Sequence, residues 1–334
     1  MSRFNVPIVI FLFKRYDTVI RILNRIKEIN PQKLYLIADG PRNEEEKKLV
    51  DNCRKVVEEN ITWDCEVIRN YADVNKGVYD RIGKGAKWVF ERERTAIFLE
   101  DDNLPELTFF DYCRELLEKY QDDKRILWIN GTNYLTEYLP KDGSSYMFTR
   151  QLLPCGWASW SDKFIENYDG ELSLFADDYY KQQLEDTYHN RALYRQQFHS
   201  IATTRYKIEH NKPVSWDFQM AFSVRINSMY GISPCRNQIK NIGVDLHSEH
   251  GGSSFRNVMT RRFCGMDSKP LDLPLKHPKA VIPDSEYEHK IENVILWPLR
   301  LRIKLKLGYI YKKIFGIDKY DSLTLMFKRK SRRK

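Results

Sequence analysis

The chain of 334 residues has no apolar run near the roughly 18 residues that a membrane-spanning helix requires, so a span is not expected. Its six cysteines, Cys53, Cys65, Cys113, Cys155, Cys235 and Cys264, include no Cys-x-x-Cys pair. That excludes a spacing-defined zinc site, and free thiols in a reducing compartment are the default expectation. The early apolar stretch Val6 to Phe13 is short, ends at Lys14-Arg15 and lacks a small-residue cleavage pattern. It reads as a first strand rather than a signal peptide. No internal repeat is present, and "KGAK" at 84–87 lacks the spacing of a phosphate-binding glycine-rich loop.

What is there is enough for a core. Hydrophobic residues make up 42% and aromatics 13% of the chain, which excludes global disorder. The net charge of +9 is unevenly placed. Lys290 to Lys334 carries 14 Lys or Arg against 3 acids, a surplus of 11 that leaves −2 for the rest. The body is near neutral and the basicity lies in a tail.

Along the first 130 residues, short β-branched runs alternate with helical patterns. "VPIVIFLF", "KLYLIADGP", "CEVIRNYA", "TAIFLE" and "RILWING" read as strands. Between them, "TVIRILNRIKEI" keeps helical spacing at Val19, Ile22, Leu23, Ile26 and Ile29, and Pro105 is expected in the first turn of the helix "PELTFFDYCRELLEKYQ". Such alternation predicts an α/β domain with a mostly parallel central sheet flanked by helices, whose ligands sit beyond the carboxyl ends of the strands. Asp39, Asn75 and the triplet Glu100-Asp101-Asp102 all fall at or just past such ends.

Three like charges at the end of a buried strand repel one another and resist desolvation. A hard divalent cation, Mn2+ or Mg2+, would relieve the repulsion, since such ions take oxygen ligands and combine one or two carboxylates with substrate phosphates. A charge run is otherwise most often a solvated surface. Further on, "LPCGWASWSDKFIENYDG" is aromatic and loop-like, and a helix follows Trp216-Asp217. Asp217 can serve as that helix's N-cap, as a catalytic carboxylate, or as both. Trp157, Trp160 and Trp216 are candidates for a ligand-stacking platform, with burial in a core the alternative.

Four segments then occur in one order over residues 5 to 255: "EDD" at 100–102, "GWASW" at 156–160, "WDFQ" at 216–219 and "NIG" at 241–243 with His250 downstream. Together they resemble bacterial nucleotide-diphospho-sugar transferases of the GT-A fold, and the triplet resembles the Glu-Asp-Asp strand-end motif of N-acetylglucosaminyltransferase I. Ser159 departs from the family's usual threonine. The resemblance implies Asp102 as the ligand of a metal that bridges the diphosphate, and Glu100 and Asp101 at the ribose or donor sugar. It implies Arg15 and Asp39 at the base, His250 near the diphosphate or the metal, and Asp217 as the catalytic base of an inverting transfer. Asn75 is a candidate on a different ground, a glycine-permitted turn beside the donor, with an ordinary loop the alternative.

The expected activity is therefore metal-dependent, inverting transfer from a UDP-linked sugar to a hydroxyl of a glycan or lipid-linked acceptor, in bacterial surface polysaccharide synthesis. A sugar nucleotidyltransferase and a non-catalytic sugar- or membrane-binding protein are the alternatives. Against the first stands the absence of glycine in "FLFKRYDTV" after strand one. Expected boundaries are a catalytic domain over 1–260, a proline-punctuated linker over 261–289 and a basic amphipathic tail over 290–334. The tail suits an anionic membrane surface on the cytoplasmic face, with no specific nucleic acid as partner. The alternation Leu299 to Leu307 has period 2, which argues for a strand in the tail.

Overall fold

The computed structural model describes residues 3–244, 254–318 and 320. The first third runs β1 (Ile8–Leu12), α1 (Tyr16–Ile29), β2 (Lys33–Ala38), α2 (Glu44–Asn60), β3 (Glu66–Tyr71), a π-helical turn (Tyr79–Gly83), α3 (Lys84–Phe90) and β4 (Thr95–Glu100). The middle runs β5 (Asn103–Pro105), α4 (Leu107–Lys119), β6 (Ile126–Asn130), β7 (Tyr146–Thr149), β8 (Trp157–Trp160), α5 (Ser161–Asn167), α6 (Asp178–Asp186) and α7 (Arg191–Glu209). The last part runs α8 (Asp217–Ile226), β9 (Tyr230–Pro234), β10 (Ile239–Asn241), α9 (Val258–Cys264), α10 (Ser285–Ile295) and α11 (Leu299–Ile314).

Eight strands form one sheet in the order β3-β2-β1-β4-β8-β6-β9-β7, and β10 pairs with β5 in a small second sheet. β1 is buried on both faces, as a central parallel strand must be. Ile8, Ile10 and Leu12 face a core shared with α1 and α4, while Val9 and Phe11 face a second core with α3 and α8. On α1, Val19, Ile22, Leu23 and Ile26 form the buried stripe, and the helix stops at Asn30, whose φ of 50° is a left-handed cap. Asn43 caps α2 by accepting from the Glu46 N–H at 2.9 Å.

The sheet departs from the mostly parallel expectation. β3, β2, β1 and β4 are mutually parallel, as are β6 and β9. β8 runs antiparallel to both β4 and β6, and β7 antiparallel to β9. The "WASW" segment, expected as loop, is thus the strand that joins the two halves. Its short length hid it, and Ser159 is tolerated in the core because its hydroxyl donates to the Leu127 carbonyl at 2.6 Å. Pro105 also differs: it ends β5, and α4 starts only after Glu106.

The stretch expected as a linker is part of the body. Leu271 and Leu275 are buried in the core beneath β1, and Ser145 N–H donates to the Lys276 carbonyl at 2.8 Å. His277 Nδ1 and the Tyr146 hydroxyl are 2.9 Å apart, and Pro283 bridges to Phe148. This strap covers edge strand β7, which would otherwise present an unpaired row of backbone groups. α10 continues it, burying Tyr287, Ile291 and Ile295 in a third cluster with α6, α7 and α8. The basic tail therefore leaves the body after Ile295 rather than at 290. Its described part is the helix α11, not a strand.

Candidate active site

The strand-end carboxylates face a cleft of about 920 Å³ at the carboxyl ends of β1, β2 and β4. The turn at 75–77, the π-helical turn and the end of α7 with the segment leading to α8 complete its walls. A π-bulge is commonly found at a functional site.

The triplet is tightly held. Asp101 accepts from the Phe13 N–H at 3.2 Å, just past β1. Asp102 Oδ2 lies 3.4 Å from the Arg15 guanidinium, and its Oδ1 accepts from Asn103 at 2.6 Å. Asn103 is buried and anchors the turn: its amide oxygen accepts from the backbone N–H groups of Glu100 and Gly156, at 3.3 and 2.8 Å. The "NIG" segment closes over it, with Ile242 N–H donating to the Asp102 carbonyl at 2.9 Å. A Cβ on Gly243 would collide with both Arg15 and Asp102, so glycine is required for this close approach.

Burial, then the charges of Asp102, Asp101 and Asp217, push the Glu100 carboxyl well above its ordinary range. Burial and the Asp102 charge raise Asp101 to about 7. Burial raises Asp102 as well, against the opposing pull of Arg15, Asn241 and Asn103. Three acids crowded beside an arginine make a site with an excess of negative charge, which fits an added cation. Asp102 and its neighbours would hold it. Among the described residues, however, no group of three or more His, Cys, Asp or Glu is arranged as a protein-only metal cage.

Asp217, more than a hundred residues away in sequence, lies beside the same cleft, and its charge adds to the upward push on Glu100. It is half-buried at the first position of α8, and Ser215 donates its hydroxyl to it. The N-cap position belongs to Trp216, so Asp217 is not the cap. Ser215 and Phe218 on either side of it line the cleft.

Trp157, Trp160 and Trp216 are all buried, which removes them as a sugar platform. Trp157 is stacked between Phe98 at 3.9 Å and Trp128 at 4.0 Å, and Trp216 packs on both tryptophans. Trp160 donates its indole N–H to the Leu117 carbonyl at 2.8 Å. A platform needs an open ring face, and these faces are covered. Their contribution is indirect: the aromatic column fixes Trp216, and with it the start of α8.

Asp39, expected at the base, is bound by its own surroundings. Its Oδ1 accepts from the N–H groups of Gly40 and Lys76, both at 2.8 Å. Its Oδ2 accepts from the Asn75 side chain at 2.9 Å and from the Gly77 N–H at 3.0 Å. Four donors fill the acceptor capacity of a carboxylate. Asp39 clips the 75–77 turn to β2, where Gly77 has φ +84°, and it also lines the cleft. Asn75 lines the cleft, although its amide nitrogen is engaged with Asp39 and Gly40. Arg15, expected at the base, is turned toward Asp102. His250 and the neighbouring His247 lie outside the described residues.

The sequence reading missed the cations of the cleft. Lys14, Arg42, Lys76, Arg81, Lys207 and Lys212 are among its walls. Arg81 sits buried in the π-helical turn, donates to the Asn70 side chain at 3.1 Å, and keeps an unpartnered Nε. Its position four residues after Gly77 was a usable signal. Lys207 and Lys212 carry none, because only the fold returns the end of α7 to the strand ends.

No family model matches the chain, and no curated protein does. Among solved structures, it is similar to a mannosyltransferase from Pyrobaculum calidifontis in complex with GDP-Man and Mn2+. That similarity has 9% identity over 68% of this chain and 70% of that one, with a TM-score of 0.35. A UDP-glucose pyrophosphorylase complexed with UDP-glucose gives 9% identity over 70% and 92%, TM-score 0.35. A 4-diphosphocytidyl-2C-methyl-D-erythritol synthase from Anaerococcus prevotii gives 11% over 53% and 77%, TM-score 0.31. Overlaps this loose carry no inference about this chain. The chain's own geometry has to carry the functional conclusion.

Proposed function

We propose that the protein is an inverting glycosyltransferase acting on a nucleotide-diphospho-sugar, with UDP as the expected nucleotide. The observation that carries this reading is the meeting of two separate acidic centres, the crowded triplet after β4 and Asp217 at the start of α8, beside one cation-lined cleft. Arg15 and the cleft lysines suit the diphosphate, because charge-assisted hydrogen bonds to phosphate oxygens are strong. A bound divalent cation would supply charge neutralisation for the departing diphosphate. Asp217 takes the proton from the acceptor hydroxyl as that oxygen bonds to the anomeric carbon. The bond from that carbon to the diphosphate oxygen breaks, its electron pair leaves with the diphosphate, and the configuration inverts. Ser215 orients Asp217 through its hydrogen bond.

Asp217→Asn is expected to lower transfer by about 10² to 10⁴ while metal-dependent UDP binding, followed by calorimetry, stays close to that of the parent. Near-normal turnover in that variant removes Asp217 as the base. Asp102→Ala is expected to weaken metal-dependent UDP binding instead. The same triplet would also suit a sugar nucleotidyltransferase. Release of pyrophosphate from a nucleoside triphosphate and a sugar 1-phosphate, without transfer from UDP-sugars, would select that reaction.

A further inference from the structure

Helix α11 presents an apolar face that nothing in the described fold covers. Leu299, Ile303, Leu307, Ile310 and Ile314 recur at helical spacing and fall within about 80° of the helix circumference. They are between 43% and 72% exposed, and α11 has no buried residue. Arg300 and Lys304 border one side of the stripe, and Lys306 and Lys313 the other. The helix carries six Lys or Arg and no acid. Beyond it, the sequence from Phe327 to Lys334 adds six more basic residues.

We propose that α11 is the surface by which this protein lies on an anionic lipid bilayer, its stripe in the acyl boundary and its basic flanks at the headgroups. A stripe of large aliphatics flanked by cations is the pattern of an interfacial helix. Charge decides among the possible occupants. A second copy would bring two wholly basic helices together with no acid between them, and like charges across an interface disfavour pairing. A nucleic acid would satisfy the cations but leave five aliphatic side chains in water. A bilayer with anionic headgroups satisfies both. No described helix is long and apolar enough to cross a membrane, so the association is with the surface.

The mount of α11 adds a direction. Before the helix, Trp297 N–H donates to Gln196 on α7 at 2.7 Å. After it, Tyr320 stacks on Tyr206 of α7 with ring centroids 4.2 Å apart. The end of α7 carries Thr204, Lys207 and Ile208 into the cleft wall. A bilayer held by α11 therefore lies beside the helix that forms part of the cleft. For the acceptor, and resting there on the transfer reading, this favours a lipid-linked glycan presented at the membrane.

The test is sedimentation of the full chain with vesicles, without nucleotide or metal, so that it stands apart from the transfer assay. Binding is expected to vesicles of equal parts phosphatidylcholine and phosphatidylglycerol, and not to phosphatidylcholine alone. Ile303→Gln with Leu307→Gln should weaken that binding by about tenfold or more, with melting temperature and UDP binding unchanged. Unchanged binding in that double variant overturns the proposal, because the rest of the basic tail would then account for the attraction. Equal binding to neutral vesicles overturns it too. So does a chain that captures polyglutamate but no vesicles, or one whose self-association the double variant abolishes.

Discussion

At the end of β2, Asp39 is held by four donors, three of them backbone N–H groups. At the end of β4, on the other side of β1, three carboxylates crowd around Arg15 and Asn103. Both places are strand ends opening on one cleft, yet their chemistry is opposite. A carboxylate whose lone pairs are filled by amides is a fastener, and its charge is already accommodated. Carboxylates pushed up by burial and by one another store repulsion that an incoming cation would relieve. Position at a strand end selects candidates. The supply of donors decides which of them is available to a ligand.

The largest break in that contrast would come from Asp39→Ala. Removing the clip strands the Gly40, Lys76 and Gly77 N–H groups and should cost about 2–4 kcal/mol, read by urea unfolding. A cost below about 0.5 kcal/mol would mean that Asp39 is no fastener. The rim offers a second case. Arg42 first, then Lys14, hold the Glu46 carboxyl down at about 2, against an ordinary 4.5. Because the folded value is the lower one, this stabilisation is complete above about pH 4.5 and is lost as pH falls toward 2. Glu46→Gln should lower stability at neutral pH by about 1–2 kcal/mol, and the difference from the parent should vanish in acid. A pH-independent difference would place the effect elsewhere. The smallest effect is expected to have the opposite sign. Without metal, Asp102→Asn should be neutral or stabilising by up to about 1 kcal/mol, because relief of the crowding that raises Glu100 and Asp101 offsets the lost contact with Arg15. A loss above 2 kcal/mol in thermal unfolding would put Asp102 with Asp39.

The parallel half of the sheet was legible in the sequence because β1, β2 and β4 are continuous apolar runs of strand length. β8 was not: four residues with a serine among them acquire strand character only from β4 and β6. Trp157 and Trp216 were visible as large aromatics, but aromaticity does not say which ring faces are covered. Asp39 was visible as a strand-end acid, while the amides that saturate it come from a turn 36 residues later. In the tail, the alternation from Leu299 to Leu307 fits a strand. Leu299, Ile303 and Leu307 also lie four apart, and Ile310 and Ile314 extend that spacing only as a helix. Asp217 and the triplet were both legible as candidates, while their placement beside one cleft required the fold.

The strap at 265–295 has a consequence for synthesis. β1 to β4 emerge from the ribosome first, but the open flank of β4 waits for β8, made some 60 residues later. β7 is made shortly before β8, and its outer edge waits for Pro283, about 135 residues on. Translation proceeds at roughly 5–20 residues per second, so each edge stands uncovered for seconds. A chain released at residue 260 would carry both acidic centres and an unsealed sheet edge. Such a fragment should be recovered as aggregate, because the segment that seals the β7 edge lies beyond it.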